Sequence, residues 1–248
     1  MKRSSENICC YILAIVFAFT CAGFSSDAQA QLLKKAKKAT AAAPAASSLS
    51  ETDITSGLKE ALVQGVKESS AIASAVDGFY KNAKITIPFP PEANKMKSTL
   101  VNLGMGKQVE AFEQSMNRAA EEAAKSAFET FAAAIKEMTV KDGISIVNGG
   151  DDAATKYLRE KTYSTLEKKF TPVVKTAIDK VKLTSYWNPL VTQYNKLPRV
   201  KKQNPNLENY ITGKTIDGLM TLIAEQEAKI RKDPAAQVSD LLRRVFGK

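Results

Sequence analysis

The sequence predicts an all-α fold: a multi-helix bundle of about nine helices with one proline-rich extended crossover segment. Apolar residues recur at three- and four-residue spacing along most of the chain, which is the period of a helix with one buried face. Residues typical of helix starts and ends separate these stretches. Only residues 84–91 alternate like a strand, and their three prolines exclude a central strand position.

Residues 1–30 have the order of a secretory signal peptide. Lys2-Arg3 precedes an apolar stretch over residues 8–24, and Ala28-Gln29-Ala30 is a small-x-small cleavage site. We therefore expect an exported, periplasmic protein whose mature chain begins at Gln31.

Two alternatives for this segment stay open. Cys21 could carry a lipid, although Ala18-Phe19-Thr20 before it is a poor lipobox. The segment could also remain as an anchor, although 17 apolar residues are at the lower limit for spanning a bilayer. Cleavage would remove Cys9, Cys10 and Cys21, which are all the cysteines, and the whole chain lacks histidine. Disulfides, thiol nucleophiles and histidine proton transfer are then excluded from the mature protein.

The mature chain is predicted to be a spacer followed by one domain. Residues 31–49 are rich in Ala and Lys, which is typical of a flexible linker, and residues 50–248 are long enough for a single all-helical domain. Ser50 to Asp53 resembles a capping box, and Asp77-Gly78 marks the end of the first helix. Its buried face is predicted to contain Ile54, Leu58, Ala61, Leu62 and Val66.

The middle of the chain is predicted to contain a crossover and then helices. The 84–91 segment crosses over, and a short helix over residues 92–103 follows, closed by Gly104. An unbroken apolar stripe then extends from Val109 to Met138, which indicates one long helix or two nearly collinear ones. The continuity of residues 107–138 stays open.

The next segment is divided by helix-start signals. Thr139 to Asp142 is predicted to open a short helix that Gly149-Gly150 ends. The two aspartates that follow are predicted to open a helix that extends to about Tyr163. Ser164 to Glu167 matches a capping box, so we expect a separate helix there, kinked or broken at Pro172.

The end of the chain is predicted to hold one long helix and one short one. Asn188-Pro189 and Leu197-Pro198 punctuate the stretch before them. Residues 207–231 form a long amphipathic pattern, and Asp233-Pro234 is predicted to cap a final helix that reaches Phe246.

Several short motifs resemble a bacterial exported family that is catalogued only as a domain of unknown function. They are GLKEAL at residues 57–62, MNRAAE at 116–121, Met138-Thr139, and GGDDAATKY at 149–157. The resemblance covers nearly all of the chain from about residue 50 to residue 246. It implies an all-helical exported protein, and it brings no activity, cofactor or catalytic residue to transfer.

The positive charge of the chain is local. The net charge is +10, and residues 156–202 hold 12 basic residues against 3 acidic ones. Aromatic residues are interleaved with these cations: Tyr157, Tyr163, Phe170, Tyr186, Trp187 and Tyr194. Such a surface attracts polyanions. The competing interpretation is an ordinary solvated face above structural aromatics. The candidate anion-binding face contains Lys156, Arg159, Lys161, Lys168, Lys169, Lys175, Lys201 and Lys202.

A second candidate is a polar network in the family motifs. Asn117 and Arg118 lie one turn before Glu121 and Glu122, and Arg118 is expected to pair with Glu121 or Glu122, or to reach across to Asp151 or Asp152. Helix capping and architectural ion pairing are the simpler roles for these residues. Glu121 or Glu122 together with Asp151 or Asp152 would supply the two carboxylates that glycoside cleavage requires, but the sequence shows no distance between them. We assign no catalytic, cofactor-binding or metal-binding residue.

The preferred function is a non-enzymatic binding or interaction protein of the cell envelope that uses the basic 156–202 face. Its expected partner is anionic lipid, acidic polysaccharide or an acidic protein; nucleic acid is not expected, and neither is a transmembrane span in the mature chain. One alternative is a carrier with an apolar cavity lined by Phe112, Met116, Phe131 and Ile135. The two-carboxylate hydrolase is the other. The oligomeric state stays open.

Overall fold

The structure is a computed structural model that describes residues 50–247. This range contains nine α-helices and two short 3₁₀ turns. The all-α fold class is confirmed, and this range contains no strand. The predicted signal peptide and spacer lie outside the described residues. The helices are α1 Glu51–Ser74, α2 Asn94–Asn102, α3 Gly106–Ala124, α4 Ala127–Lys136, α5 Val140–Val147, α6 Ala153–Lys180, α7 Leu183–Asn195, α8 Leu207–Lys232 and α9 Asp240–Phe246.

Helix α1 begins at the predicted capping box. The Ser50 hydroxyl accepts from the Asp53 backbone N–H at 3.1 Å, and the Asp53 carboxylate accepts from the Ser50 N–H at 3.2 Å. Leu58, Leu62 and Val66 are buried on one face, as the helical spacing predicts. This face packs against α3, α4, α5, α8 and α9, so α1 is central to the core.

The proline-rich segment between α1 and α2 closes one side of the core. Ile85, Ile87 and Phe89 are buried along it. The ring of Phe89 meets Phe112 of α3 at 5.2 Å and Trp187 of α7 at 5.9 Å between centroids, and Phe112 and Trp187 are 4.7 Å apart. These three rings join the crossover to two helices. After a 3₁₀ turn over Pro91–Ala93, α2 begins two residues later than the predicted start at residue 92.

The apolar stripe from Val109 to Met138 forms two helices. Helix α3 ends at Ala124 and α4 begins at Ala127, with a turn in which the Ser126 N–H donates to the Ala123 carbonyl. Both helices pack against α1 and α6, which explains why the apolar pattern continues across the turn.

The predicted helix start at Ser164 is wrong. Helix α6 is one α-helix of 28 residues, and it continues through both Ser164 and Pro172. Leu166 and Phe170 are buried between these two positions, where α6 packs against α3, α4 and α8. This packing stabilises the helical backbone on both sides of each signal. Pro172 itself is exposed, so its ring meets solvent.

The C-terminal elements differ from the prediction at one cap. Helix α8 begins after Asn206, whose side chain accepts from the Asn209 N–H at 3.0 Å, as the predicted boundary requires. Asp233 caps a 3₁₀ turn over Pro234–Ala236, and Ser239 caps α9 by accepting from the Leu242 N–H. Asp233 was predicted to cap the final helix, and that was wrong. Over residues 50–247 no helix is long and apolar enough to cross a membrane.

Candidate functional site

Helix α3 holds the crossover segment through one side-chain amide. Asn117 is buried, and its Oδ1 accepts from the Ile87 backbone N–H at 2.8 Å. Its Nδ2 donates to the Ile87 carbonyl at 2.9 Å and to the Glu113 carbonyl at 2.9 Å. Asn117 thus replaces the strand partner that the extended residue Ile87 lacks.

Glu121, one turn further along α3, binds the start of the same segment. Its Oε1 accepts from the backbone N–H groups of Phe79 at 3.1 Å and Tyr80 at 3.2 Å. Its Oε2 accepts from Arg118 at 2.5 Å, and Arg118 also donates to Asp77 at 2.5 Å. Only 5% of the Glu121 side chain is exposed, so this charge is neutralised inside the protein.

Ion pairing shifts the pKa values of two members of this cluster. Glu121, and then Asp77, raise the pKa of Arg118 above its ordinary value. Lys81, and then Arg118, hold the pKa of Asp77 below its usual range. Asp77 thus binds Lys81 and Arg118, and Arg118 binds Glu121, an arrangement that holds the backbone of residues 77–80 against α3.

Asp151 and Asp152 belong to a different part of the molecule. Asp151 binds Lys232, and Asp152 binds Lys156 at 3.0 Å. Asp152 occupies the N-cap position of α6, yet its side chain accepts no bond from the helix. The predicted capping role of these side chains is therefore wrong, and Arg118 pairs with Asp77 rather than with either of them.

Glu227 of α8 performs the capping that was expected of the aspartates. It is buried, and its carboxylate accepts from the backbone N–H groups of Ala154 at 2.9 Å and Thr155 at 2.8 Å, and from the Thr155 hydroxyl at 2.8 Å. A carboxylate is favourable there because the N–H groups at a helix start carry partial positive charge. Glu227 was not among the predicted site residues. The signal that could have indicated it is its position on the apolar stripe of α8, four residues after Ile223, where a charged residue is unusual.

Arg231 completes this second cluster. It donates to Glu227 at 2.8 Å and to the carbonyls of Ile146 at 3.2 Å and Val147 at 3.3 Å. Those carbonyls belong to the last turn of α5, so one buried ion pair binds the end of α5 and the start of α6 to α8.

The other motif residues also make contacts between elements. Lys59 of α1 donates to the Lys136 carbonyl at the end of α4, at 2.9 Å. Thr139, and then Tyr157, lower the pKa of the Asp142 carboxyl by hydrogen bonding to it. Burial, and then Asp142, raise the pKa of Tyr157 to about 12. In this geometry the polar motif residues connect helices.

The basic window divides into paired and unpaired cations. Arg159 binds Asp217 at 2.6 Å, Lys180 binds Glu122 at 2.5 Å, and Lys156 binds Asp152. The other nine are exposed and form no salt bridge with any residue in 50–247: Lys161, Lys168, Lys169, Lys175, Lys182, Lys196, Arg199, Lys201 and Lys202.

Most aromatic side chains of residues 156–202 lie in the interior of the protein. Phe170, Trp187 and Tyr194 are buried, and Tyr157 and Tyr163 are half-buried. Tyr186 alone is exposed among them, at 43%. All of these aromatic residues except Tyr186 therefore fit the competing interpretation, in which they are structural residues beneath a solvated face.

The side chains proposed for a carrier cavity are tightly packed. Phe112, Met116, Phe131 and Ile135 are all fully buried. None of them lines the four surface pockets described among residues 50–247, which lie at the interfaces of α3, α6, α7 and α8 and near the Gly149 loop. In the same range, no group of three or more acidic residues is arranged to hold a metal ion.

Comparison with known proteins identifies a family. No curated protein and no solved structure matches the chain. A family model described as "Protein of unknown function (DUF4197)" matches residues 48–247, which include every motif quoted above. The chain therefore belongs to the DUF4197 family, as the resemblance of its motifs predicted.

Proposed function

We propose that this protein is an exported, non-enzymatic binding protein whose exposed cations in the 156–202 window bind an anionic component of the cell envelope. One observation carries the proposal: nine of the twelve cations in this window are exposed and form no salt bridge within residues 50–247, and only Lys161 among them acts on a nearby carboxylate there, that of Asp142. An exposed cation without a partner keeps its field directed toward solvent, where it attracts anions.

The loop between α7 and α8 concentrates four of these cations. Lys196, Arg199, Lys201 and Lys202 lie within seven residues that contain no acidic residue. Two hydrogen bonds close the loop: the Gln203 N–H donates to Asn195 Oδ1 at 3.0 Å, and Asn195 Nδ2 donates to the Gln203 carbonyl at 3.3 Å. The loop is thus held as a folded basic unit.

Helix α6 presents a second group. Lys161, Lys168 and Lys175 are spaced by seven residues, which is nearly two turns, so they lie along one side of the helix in steps of about 10 Å. Lys169 lies beside this row. Repeated cations along a rigid helix suit a partner whose negative charges are also repeated, such as an acidic polysaccharide or an anionic lipid surface.

The test is binding of the purified mature protein to vesicles of anionic phospholipid and to an acidic polysaccharide, compared with neutral vesicles. We expect binding to the anionic probes only, and we expect it to weaken as added salt shortens the Debye length below about 8 Å. Replacing Lys168, Lys169, Lys201 and Lys202 by Gln should weaken it further while leaving the melting temperature unchanged.

A matched variant controls for net charge. Lys67, Lys95, Lys107 and Lys229 are also exposed and form no salt bridge with the described residues, and they lie outside the window. Replacing these four by Gln lowers the net charge by the same amount and should leave binding nearly unchanged. Equal loss in both variants, or binding that salt does not affect, would contradict a specific basic face.

Export is part of the proposal and has its own measurement. If the signal is cleaved after Ala30, the intact mass of the protein recovered from the envelope should correspond to a chain that begins at Gln31. A chain that retains Met1, or a lipid attached to Cys21, would contradict cleavage at that site.

A further inference from the structure

We propose that residues 196–202, in the loop between α7 and α8, bind a phosphate monoester group. This segment is called the basic loop below. The inference deepens the proposed function and rests on it, because it names the anionic group that one part of the same surface recognises. Four cations of the basic loop are exposed and form no salt bridge with residues 50–247: Lys196, Arg199, Lys201 and Lys202.

The basic loop is anchored to the protein at its ends and along its inner side. Asn195 and Gln203, which flank it, are joined by two hydrogen bonds of 3.0 and 3.3 Å. Leu197 and Val200 are partly buried and pack against the core. The cations lie before, between and after these two residues, so the backbone that carries the charges is held in place.

Closure of the loop brings its four charges close together. Because the two ends are joined, no two Cα atoms of the basic loop are more than about 18 Å apart. The segment contains no acidic residue. Like charges at this separation repel one another, which destabilises the folded state. A bound anion offsets this repulsion.

The hydrogen-bonding groups of the basic loop suit a ligand with acceptor oxygens. Its Lys201 carbonyl is already used, because it accepts from Gln203 Nε2 at 3.0 Å. Four consecutive backbone N–H groups donate to no acceptor among residues 50–247, those of Arg199, Val200, Lys201 and Lys202. Lysine and arginine side chains are also donors only. The loop therefore presents donors from both backbone and side chains.

Arg199 has an unusual backbone conformation in this loop. Its φ angle is 60°, one of three positive values at non-glycine residues in 50–247. Residues other than glycine rarely adopt this conformation, and it concentrates at binding sites. Arg199 is also the only arginine among the nine exposed cations of the 156–202 window that form no salt bridge. Its planar guanidinium group can bind two oxygens of one phosphate.

The number of donors favours a phosphate monoester over a carboxylate. A phosphate monoester offers three acceptor oxygens and a charge of about −2 near neutral pH, whereas a carboxylate offers two oxygens and about −1. The cations of α6 are arranged differently. Lys161, Lys168 and Lys175 follow one another in steps of about 10 Å, so they do not converge on one group as the cations of the basic loop do.

The first test is an NMR titration of the isotope-labelled mature protein with glycerol 3-phosphate, with succinate as a control dianion, at about pH 7.5. We expect glycerol 3-phosphate to shift the amide signals of residues 199–202 and to bind about 5-fold or more tightly than succinate. Equal affinity for the two dianions, or shifts that do not include these amides, would overturn the inference.

Variants of matched charge locate the site. Replacing Lys201 and Lys202 together by Gln should weaken glycerol 3-phosphate binding by about 10-fold or more. Replacing Lys168 and Lys175 by Gln removes the same charge from α6 and should leave this affinity nearly unchanged. Arg199→Lys keeps the charge but loses the planar fork, so it should weaken binding by about 3-fold. Equal losses in the two double variants would overturn the assignment to the basic loop.

Vesicle binding distinguishes two sources of the phosphate monoester, a lipid headgroup and a soluble ester. If the lipid is the source, vesicles of phosphatidic acid should bind more tightly than vesicles of phosphatidylglycerol at equal surface charge, because only the former carries a monoester. If a soluble ester is the source, the two vesicles should bind equally while glycerol 3-phosphate still shifts the loop amides.

The same measurements separate this inference from the proposed function. Salt-dependent binding to anionic vesicles, without any effect of glycerol 3-phosphate on the basic loop, would overturn the inference and leave the proposed function intact. If neither the anionic probes of the proposed function nor glycerol 3-phosphate binds, both are contradicted.

Discussion

Glu121 and Glu227 are the two carboxylates buried within residues 50–247, and each binds backbone N–H groups of another element. Each is also paired with an arginine on its own helix, Arg118 or Arg231. Removing one member of such a pair leaves the other charge buried without compensation, which is more costly than never having the pair.

Replacing Glu227 by Gln should lower the free energy of unfolding by about 3 kcal/mol or more, because Arg231 loses its counter-charge and the start of α6 loses an anionic cap. The measurement is chemical denaturation. Glu225→Gln is the matched control: Glu225 is two residues away and pairs with Lys84 at 2.6 Å on the surface, where a pair contributes at most about 1 kcal/mol. A smaller loss for Glu227→Gln than for Glu225→Gln would contradict the capping role.

The raised pKa of Tyr157 predicts that the protein loses stability at high pH. Burial and Asp142 raise its pKa from 10.0 to about 12 in the folded protein. The folded state therefore retains this proton more strongly than the unfolded state does. The stabilisation that the protonated Tyr157 hydroxyl contributes to the folded state is fully present below pH 10 and is lost as the pH rises through 12.

Unfolding measured from pH 9 to pH 12 should show this loss, and Tyr157→Phe should show a smaller one, because phenylalanine does not titrate. Phenolate absorbance of the folded protein provides a second readout. Identical pH profiles for the two proteins would contradict the assignment.

At the scale of single elements, α6 shows how packing overrides local signals. Ser164 and Pro172 are both typical of a helix boundary, yet the helix continues through them. Phe170 and Val174 are fully buried on either side of Pro172, and breaking the helix there would expose them. Burial of two such side chains contributes about 3 kcal/mol or more, which is comparable with the cost of proline inside a helix.

Replacing two glycines of α8 by alanine is expected to change stability in opposite directions. A Cβ added at Gly218 would lie 2.8 Å from Phe79 Cε1 and 3.2 Å from Ile85 Cβ, so Gly218→Ala should destabilise the protein by about 1–3 kcal/mol through overpacking. At Gly213 the nearest atom is the Tyr163 hydroxyl at 3.6 Å, so Gly213→Ala should stabilise it by about 0.5–1 kcal/mol. Thermal unfolding of both variants measures the difference, and equal shifts would contradict the close approach at Gly218.

For the whole molecule, the apolar residues of α1, α3, α4, α6, α7 and α8 belong to one continuous core. Phe131 of α4 is fully buried in it, and Phe131→Ala should lower the free energy of unfolding by about 3–5 kcal/mol. Denaturant titration should show one cooperative transition, shifted to lower denaturant. The control is Val101→Ala on α2, where Val101 is 45% exposed and the loss should be below about 0.5 kcal/mol. Comparable losses would mean that the core is assigned wrongly.

The candidate residues were partly predictable. Arg118 lies three residues before Glu121 and four before Glu122, so helix geometry predicts a pair with one of the two, and the structure selects Glu121. Asp77 is 41 residues away from Arg118 along the chain, and no local pattern indicates that contact. Glu227 and Thr155 are separated by 72 residues, so the capping carboxylate was assigned to the neighbouring aspartates instead.

The sequence by itself determined the all-α class, the starts of α1 and α8 and the membership of the family, because helical period, capping residues and motifs are local properties of the chain. Only the tertiary structure decided that α6 is one helix, that α3 and α4 are two, and which charges are paired. It also decided which aromatic side chains reach the surface. Those outcomes depend on contacts between helices far apart in sequence, and the free energy of burying side chains at those contacts exceeds local preference.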